Sequence, residues 1–150
     1  MANMRESRAA ADGGPPEIVE RTAKFAERVL KCCQSLYKLA RVERPLLTQL
    51  LRAAASVGAN LNEAQSAESR ADFAHKVNIA LKEARETSYW LRLVRSAKLV
   101  PPKRLDALLD EAGQIQRILR AISFSSRKGT KPTHSEFRTQ NSELPAKASP

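Results

Sequence analysis

Residues 69–98 read SRADFAHKVNIALKEARETSYWLRLVRSAK, and the apolar residues in this stretch recur with the period of an α-helix. Steps of three and four positions keep them on one helical face, which can be buried against other helices. The stripe consists of Phe73, Val77, Ala80, Ala84, Thr87, Leu91 and Val94. Ser69 and Asp72, three positions apart, form a capping-box-like start. The pattern predicts a helix over residues 69–98.

Three other segments show the same periodicity, over residues 20–40, over residues 45–67, and from Pro101 and Pro102 to about residue 124. Their stripes consist of Phe25, Val29, Cys32, Leu36 and Leu39 in the first, of Leu47, Leu50, Leu51, Ala54, Gly58 and Leu61 in the second, and of Leu105, Leu108, Leu109, Ala112, Ile115, Leu119 and Ile122 in the last. Short connections between long helices force neighbouring helices to run antiparallel. We therefore predict an all-α protein with an up-down-up-down four-helix bundle.

The two ends of the chain differ from this middle part in composition. Residues 1–19 and 125–150 lack apolar periodicity and are too polar to bury a face, which is typical of disorder. We predict a disordered N-terminal segment over 1–19, the bundle over 20–124 and a disordered basic tail over 125–150. We see neither an apolar signal region nor the roughly 20 apolar residues of a membrane span, and we expect a cytoplasmic protein with no membrane partner.

The formal net charge of the chain is +10, and most of it belongs to the predicted bundle. The first 19 residues carry two basic and three acidic side chains, and residues 125–150 carry five basic and two acidic ones. An excess of +8 therefore remains on the bundle. Such a body attracts polyanions, of which nucleic acid is the commonest, although many basic surfaces serve solubility alone.

Two predicted helices present a ridge of cations that could follow a phosphate backbone. The ridges consist of Lys24, Arg28, Lys31 and Lys38 on the first helix, and of Lys82, Arg85, Tyr89 and Arg92, together with Asn78, on the third. Arginine side chains and Tyr89 could also stack on bases. The alternative is a solvated face that Glu27, Glu83 and Glu86 partly neutralise.

A second apolar arc on the third helix consists of Ile79, Trp90 and Leu93. At 100° per residue these side chains point well away from the core stripe. The arc predicts either an oligomer interface or a wide contact with the core of the same chain.

The second predicted helix contains the small-residue run AAASVGA over residues 53–59, which lets a neighbouring helix approach closely. Asn60 and Glu63 follow at a spacing of three. They are either exposed to solvent or form a buried polar clamp, in which case each needs a partner. A cation such as Arg92 could face Glu63.

Residue patterns for catalysis are weak. Cys32 and Cys33 are adjacent, so they cannot readily bridge to each other, and we interpret them as reduced, small hydrophobic residues. Asp72 and His75 imitate half of a di-iron Glu-x-x-His motif, but His75 points away from the core stripe. We expect no metal site, no cofactor and no enzymatic activity.

Three stretches together resemble a known family: SVGANLNEA over residues 56–64, AESRADF over residues 67–73 and IALKEARETSYWL over residues 79–91. They are similar to the bacterial four-helix-bundle proteins first named after intervening sequences in the large-subunit (23S) ribosomal RNA gene. The accessory variability protein of diversity-generating retroelements is similar too. The resemblance covers about residues 20–124.

The resemblance implies a homopentameric barrel with a basic exterior. For the retroelement relatives it implies binding of nucleic acid and of a reverse transcriptase, and for the intervening-sequence members a presumed association with RNA. Gly58, Asn60, Glu63 and Glu86 fall within the matching stretches, and we interpret them as structural residues.

The leading hypothesis is therefore a non-enzymatic, oligomeric protein that binds RNA or DNA as a scaffold or accessory factor, with a retroelement reverse transcriptase as a candidate partner. The alternative is a protein-only adaptor whose basic face docks an acidic protein partner.

Overall fold

The computed structural model describes residues 15–40, 42–98 and 100–128, which form four helices. The helices are α1 (Pro15–Ala40), α2 (Arg44–Ala64), α3 (Arg70–Ser96) and α4 (Lys103–Lys128). Each packs along its neighbour in sequence, whereas α1 and α4 touch only lightly. The predicted all-α four-helix bundle is confirmed. None of the helices in these ranges is apolar over a stretch long enough to cross a membrane.

Both outer helices extend beyond their predicted ends. Helix α1 begins at Pro15 rather than at residue 20, because two prolines suit a first turn, whose N–H groups need no helical partner, and Ile18 is buried. Helix α4 continues to Lys128, since Ser126 is buried and its hydroxyl donates to the Ile122 carbonyl (2.7 Å). Residues 15–19 and 125–128 are thus helical, contrary to the predicted disorder; the rest of both predicted tails lies outside the described residues.

The turn between α2 and α3 is fixed by local hydrogen bonds. Helix α2 ends at Ala64, three residues before the predicted end, and the chain tightens there as Ala67 N–H donates to the Ala64 carbonyl (3.2 Å). The Ser69 hydroxyl then accepts from the backbone N–H of Asp72 (3.1 Å). This bond confirms Ser69 as the N-cap of α3.

Most residues of the predicted stripes belong to one continuous core. The side chain of Leu39 lies outside the described ones, and the series in α1 needs one correction. Cys33 is buried and Cys32 only half-buried, so the core-facing series runs through Val29, Cys33 and Leu36. Ile18 belongs to the same series, and the average step of this series matches the 3.6 residues of a helical turn. Burial raises the pKa of the Cys33 thiol to about 12, which keeps the thiol protonated.

Helix α2 approaches the backbone of α1 most closely at Gly58. A Cβ atom at this position would lie 3.4 Å from Thr22 Oγ1 and 3.7 Å from the Ala23 nitrogen. Thr22 is fully buried, and its hydroxyl is directed to the Ile18 carbonyl of its own helix (2.9 Å). The small residues of α2 therefore permit the close approach that the sequence predicts, and Gly58 lies at the contact with α1 rather than within the core.

A fragment limited to residues 20–124 is expected to be less stable than one limited to residues 15–128. It loses Ile18 and the last turn of α4, and removing one large buried aliphatic side chain costs about 2–4 kcal/mol. Urea denaturation of the two fragments, with Ile18→Ala in the longer one as a control, measures the difference. Equal unfolding free energies would show that these terminal turns do not pack.

Candidate nucleic-acid interface

Polar contacts between α3 and α4 fix which residues of the two helices lie side by side. Residue numbers rise along one helix as they fall along the other, so the helices are antiparallel. The contacts are Ser123 Oγ to Asn78 Oδ1 (2.6 Å), Gln116 Nε2 to Ser88 Oγ (2.6 Å) and Arg95 Nε to Asp106 Oδ1 (2.7 Å). Asn78 is thereby half-buried in the seam and does not belong to an open ridge.

The cations predicted on α3 are exposed. Lys82, Arg85 and Arg92 have neither an ion pair nor a side-chain hydrogen bond within the part of the chain that the structure describes. Tyr89, which is 54% exposed, lies between Arg85 and Arg92 on the same side of the helix. The outer side of α3 is therefore a strip of positive charge around one aromatic ring.

Helix α4 adds arginines that the sequence analysis missed. Arg120 and Arg127 alternate with Gln116 and Ser123 at steps of four, three and four, so all four lie on the side of α4 that faces α3. Both arginines are exposed and have no partner among the described residues. This spacing is visible in the sequence, but only the contacts of Gln116 and Ser123 reveal which helix the arginines lie beside.

We call the surface formed by Lys82, Arg85, Arg92, Arg120 and Arg127 the α3–α4 cationic face. Because Ser123 contacts Asn78, Arg120 lies about one turn further along, at the level of Lys82. The two helices thus contribute adjacent rows of exposed cations.

The predicted ridge on α1 is largely neutralised by neighbouring carboxylates. The pairs are Lys24 with Glu20 (2.6 Å), Lys31 with Glu27 (2.6 Å) and Arg28 with Glu111 (4.0 Å). Hydrogen bonds from the two lysines lower the pKa of Glu20 and of Glu27. Of the four predicted cations, only Lys38 has no partner within the described ranges. Local positive charge is therefore weaker on α1 than on the α3–α4 cationic face.

Glu86 of α3 is turned towards α2 and away from the cationic face. Glu86 Oε1 accepts from Arg52 (2.8 Å) and from Trp90 Nε1 (3.2 Å). Glu63 pairs with Lys76 rather than with Arg92, because Lys76 lies on the side of α3 that faces α2. The predicted neutralisation by Glu86 therefore does not reach Arg85 or Arg92.

A family model, described as 23S rRNA-intervening sequence protein, matches residues 16–121. The chain belongs to this family. The resemblance to the intervening-sequence proteins is thereby confirmed.

A crystal structure similar to this member of the 23S rRNA-intervening sequence family is that of a protein of unknown function from the S23 ribosomal protein family of Bacteroides thetaiotaomicron. The two chains are 34% identical, with a TM-score of 0.69, and the match covers 73% of this chain and 97% of the other. No curated protein matches the chain. Neither the family description nor that structure names an enzymatic activity.

The residues in the family-matching stretches make structural contacts in this intervening-sequence protein. The Asn60 side chain is half-buried and donates to the Ser56 carbonyl of its own helix (2.8 Å). It is therefore neither fully exposed to solvent nor part of a polar clamp between helices. Glu63 is exposed and joins α2 to α3 through Lys76. Glu86 also joins these two helices, through an ion pair with Arg52.

The second apolar arc is divided between the core and the surface. Trp90 is half-buried and packs against the core. This contact corresponds in part to the wide core contact that the sequence offered as one alternative. Ile79 is half-buried, and Leu93 is 40% exposed. The outer part of the arc remains available to a partner.

The described residues contain no group of three or more His, Cys, Asp and Glu side chains that could hold a metal ion. His75 is exposed on α3.

Two neighbouring carboxylates of α3 are expected to respond differently to neutralisation. Glu86→Gln weakens the bonds to Arg52 and Trp90, so the unfolding free energy should fall by about 1 kcal/mol, since this carboxylate is partly solvated. Glu83 Oε2 is inaccessible to solvent and has no hydrogen-bond partner among the described groups. Glu83→Gln should therefore leave stability unchanged or raise it. Urea denaturation at neutral pH compares the variants, and equal destabilisation by both would contradict the structure.

Proposed function

We propose that this chain is a non-enzymatic, RNA-associated nucleic-acid-binding protein that uses the α3–α4 cationic face. The observation that carries the proposal is the set of exposed cations on two adjacent helices, with no partner in the described part of the chain. The family description, which names an rRNA intervening sequence, supports RNA as the polyanion.

Binding would be electrostatic and largely independent of sequence. Two adjacent rows of lysine and arginine can neutralise successive phosphates, and the release of condensed counterions supplies the free energy. Arginine also offers paired N–H donors that fit phosphate oxygens. Base-reading contacts are not required, so RNA and DNA would both bind.

Assembly would strengthen weak sites on each subunit. The resemblance to pentameric relatives and the exposed Leu93 support a homo-oligomer, in which the face is repeated and several sites act on one strand by avidity. The same resemblance makes a reverse transcriptase a proposed protein partner.

Removing two charges from α3 should weaken RNA binding more than removing two from α1. The variant Lys82→Ala/Arg85→Ala removes two cations that have no partner among the described residues. The control Lys24→Ala/Lys31→Ala removes two cations that are paired with glutamates. Both variants lose the same net charge. We expect the first to reduce affinity for a short labelled RNA at least severalfold and to reduce the log–log salt slope by about 1.4. Fluorescence anisotropy measures both, and thermal melting checks folding.

Equal losses in the two variants would mean that net charge matters and that the face does not. Unchanged RNA affinity in both folded variants would contradict the proposal. It would favour the alternative, an adaptor whose basic face docks an acidic protein.

The exposed end of the apolar arc should mediate assembly. Leu93→Lys places a charge in the proposed interface, where its desolvation would disfavour association, so the oligomer should dissociate. Leu30→Lys is a matched control, because Leu30 on α1 is also 40% exposed. Light scattering at micromolar concentrations measures the mass. A monomeric wild-type protein, or equal effects of both substitutions, would contradict the assignment.

A further inference from the structure

We propose that the α3–α4 cationic face selects single-stranded nucleic acid, by stacking an unpaired base on Tyr89. This inference rests on the proposed function and adds the class of ligand. It depends on three features of the face: an exposed aromatic ring among cations, the edge contact of that ring with Trp90, and open space on the neighbouring helix at the same level.

Tyr89 is 54% exposed although it lies in the middle of a helix that is packed on both flanks. Arg85 precedes it by four residues and Arg92 follows it by three, so the three side chains share one side of α3. An aromatic ring between unpaired cations matches the pattern of single-strand binding sites, in which bases stack while phosphates are neutralised. Bases in a duplex are stacked on each other, so they cannot use such a ring.

The ring of Tyr89 is held in place by its neighbour. Its centroid lies 5.0 Å from that of Trp90, at an interplanar angle of 72°. Trp90 is itself fixed, because it packs against the core and donates to Glu86 Oε1 (3.2 Å). A ring that this contact restrains loses less entropy when a base stacks on it than a ring without contacts would, which favours binding.

Helix α4 leaves open space at Gly113. This residue is one turn before Gln116, which contacts Ser88, so it lies on the side of α4 that faces α3, at about the level of Tyr89. A Cβ atom on Gly113 would have no neighbour within 4 Å. Glycine within a helix costs about 1 kcal/mol relative to alanine, and the packing of this bundle gives no reason for it. The space it leaves can admit a base or a sugar from outside.

The test compares the full-length protein with single-stranded and duplex oligonucleotides of one sequence, each as RNA and as DNA. We expect the wild type to prefer the single strands of both kinds. Tyr89→Ala should lower single-strand affinity about tenfold, as expected for one lost base stack, and should leave duplex affinity unchanged. Tyr89→Phe, which keeps the ring, should bind as the wild type does.

Two further variants test whether the loss of any exposed aromatic ring weakens binding, and whether the open space on α4 is needed for it. Tyr37→Ala is the control, because Tyr37 is 43% exposed and has an arginine beside it, with Arg44 4.7 Å from its ring centre, but belongs to α1. It should leave affinity unchanged. Gly113→Leu fills the open space, so it should weaken single-strand binding without lowering the melting temperature. Trp90, the only tryptophan, should report single-strand binding by a change in fluorescence.

The outcomes distinguish this inference from the proposed function. Equal affinity for single strands and duplexes, with Tyr89→Ala changing neither while Lys82→Ala/Arg85→Ala weakens both, overturns the stacking site and leaves the cationic face intact. A Tyr89→Ala protein that loses oligomer mass and affinity in proportion assigns Tyr89 to an interface and also overturns it. Absence of any binding by the wild type overturns both proposals.

Discussion

Burial of the apolar stripe of α3 constrains the remainder of the molecule, because α3 packs extensively against both α2 and α4. Val77, Ala80 and Leu91 have no exposed surface, so the rotation of the helix about its axis is fixed by the core. One flank of the helix then contacts α2 through Glu86, and the other flank contacts α4 through Ser88. Only the outer side remains open, and that side carries its unpaired cations and Tyr89.

The same rotation explains why positive charge collects on one surface. On α1, each of two lysines has a glutamate four residues earlier, so charge is balanced within the helix. On α3, Glu86 is turned towards α2 and compensates Arg52. Unpaired cations repel each other and are slightly unfavourable for folding, so the packing of the bundle does not account for their concentration on two adjacent helices.

The family-matching stretch of α2 acts as a spacer between α1 and α3. Gly58 allows close contact with Thr22 on one side, and Glu63 contacts Lys76 on the other. These contacts set the distances between three helices. A substitution here would therefore act on the α3–α4 cationic face indirectly, by moving α3, rather than through loss of one of its cations.

The sequence by itself determined the helices, their stripes, the Ser69 cap and the cations of α3, because these depend on local periodicity and on hydrogen bonds within a few residues. It left the partner of Glu63 open, mistook Cys32 for the core-facing cysteine and missed Arg120 and Arg127. Those features were decided by the tertiary structure. A helical repeat gives the direction of a side chain about its own axis, but the rotation and register of the neighbouring helix follow only from packing of the shared core.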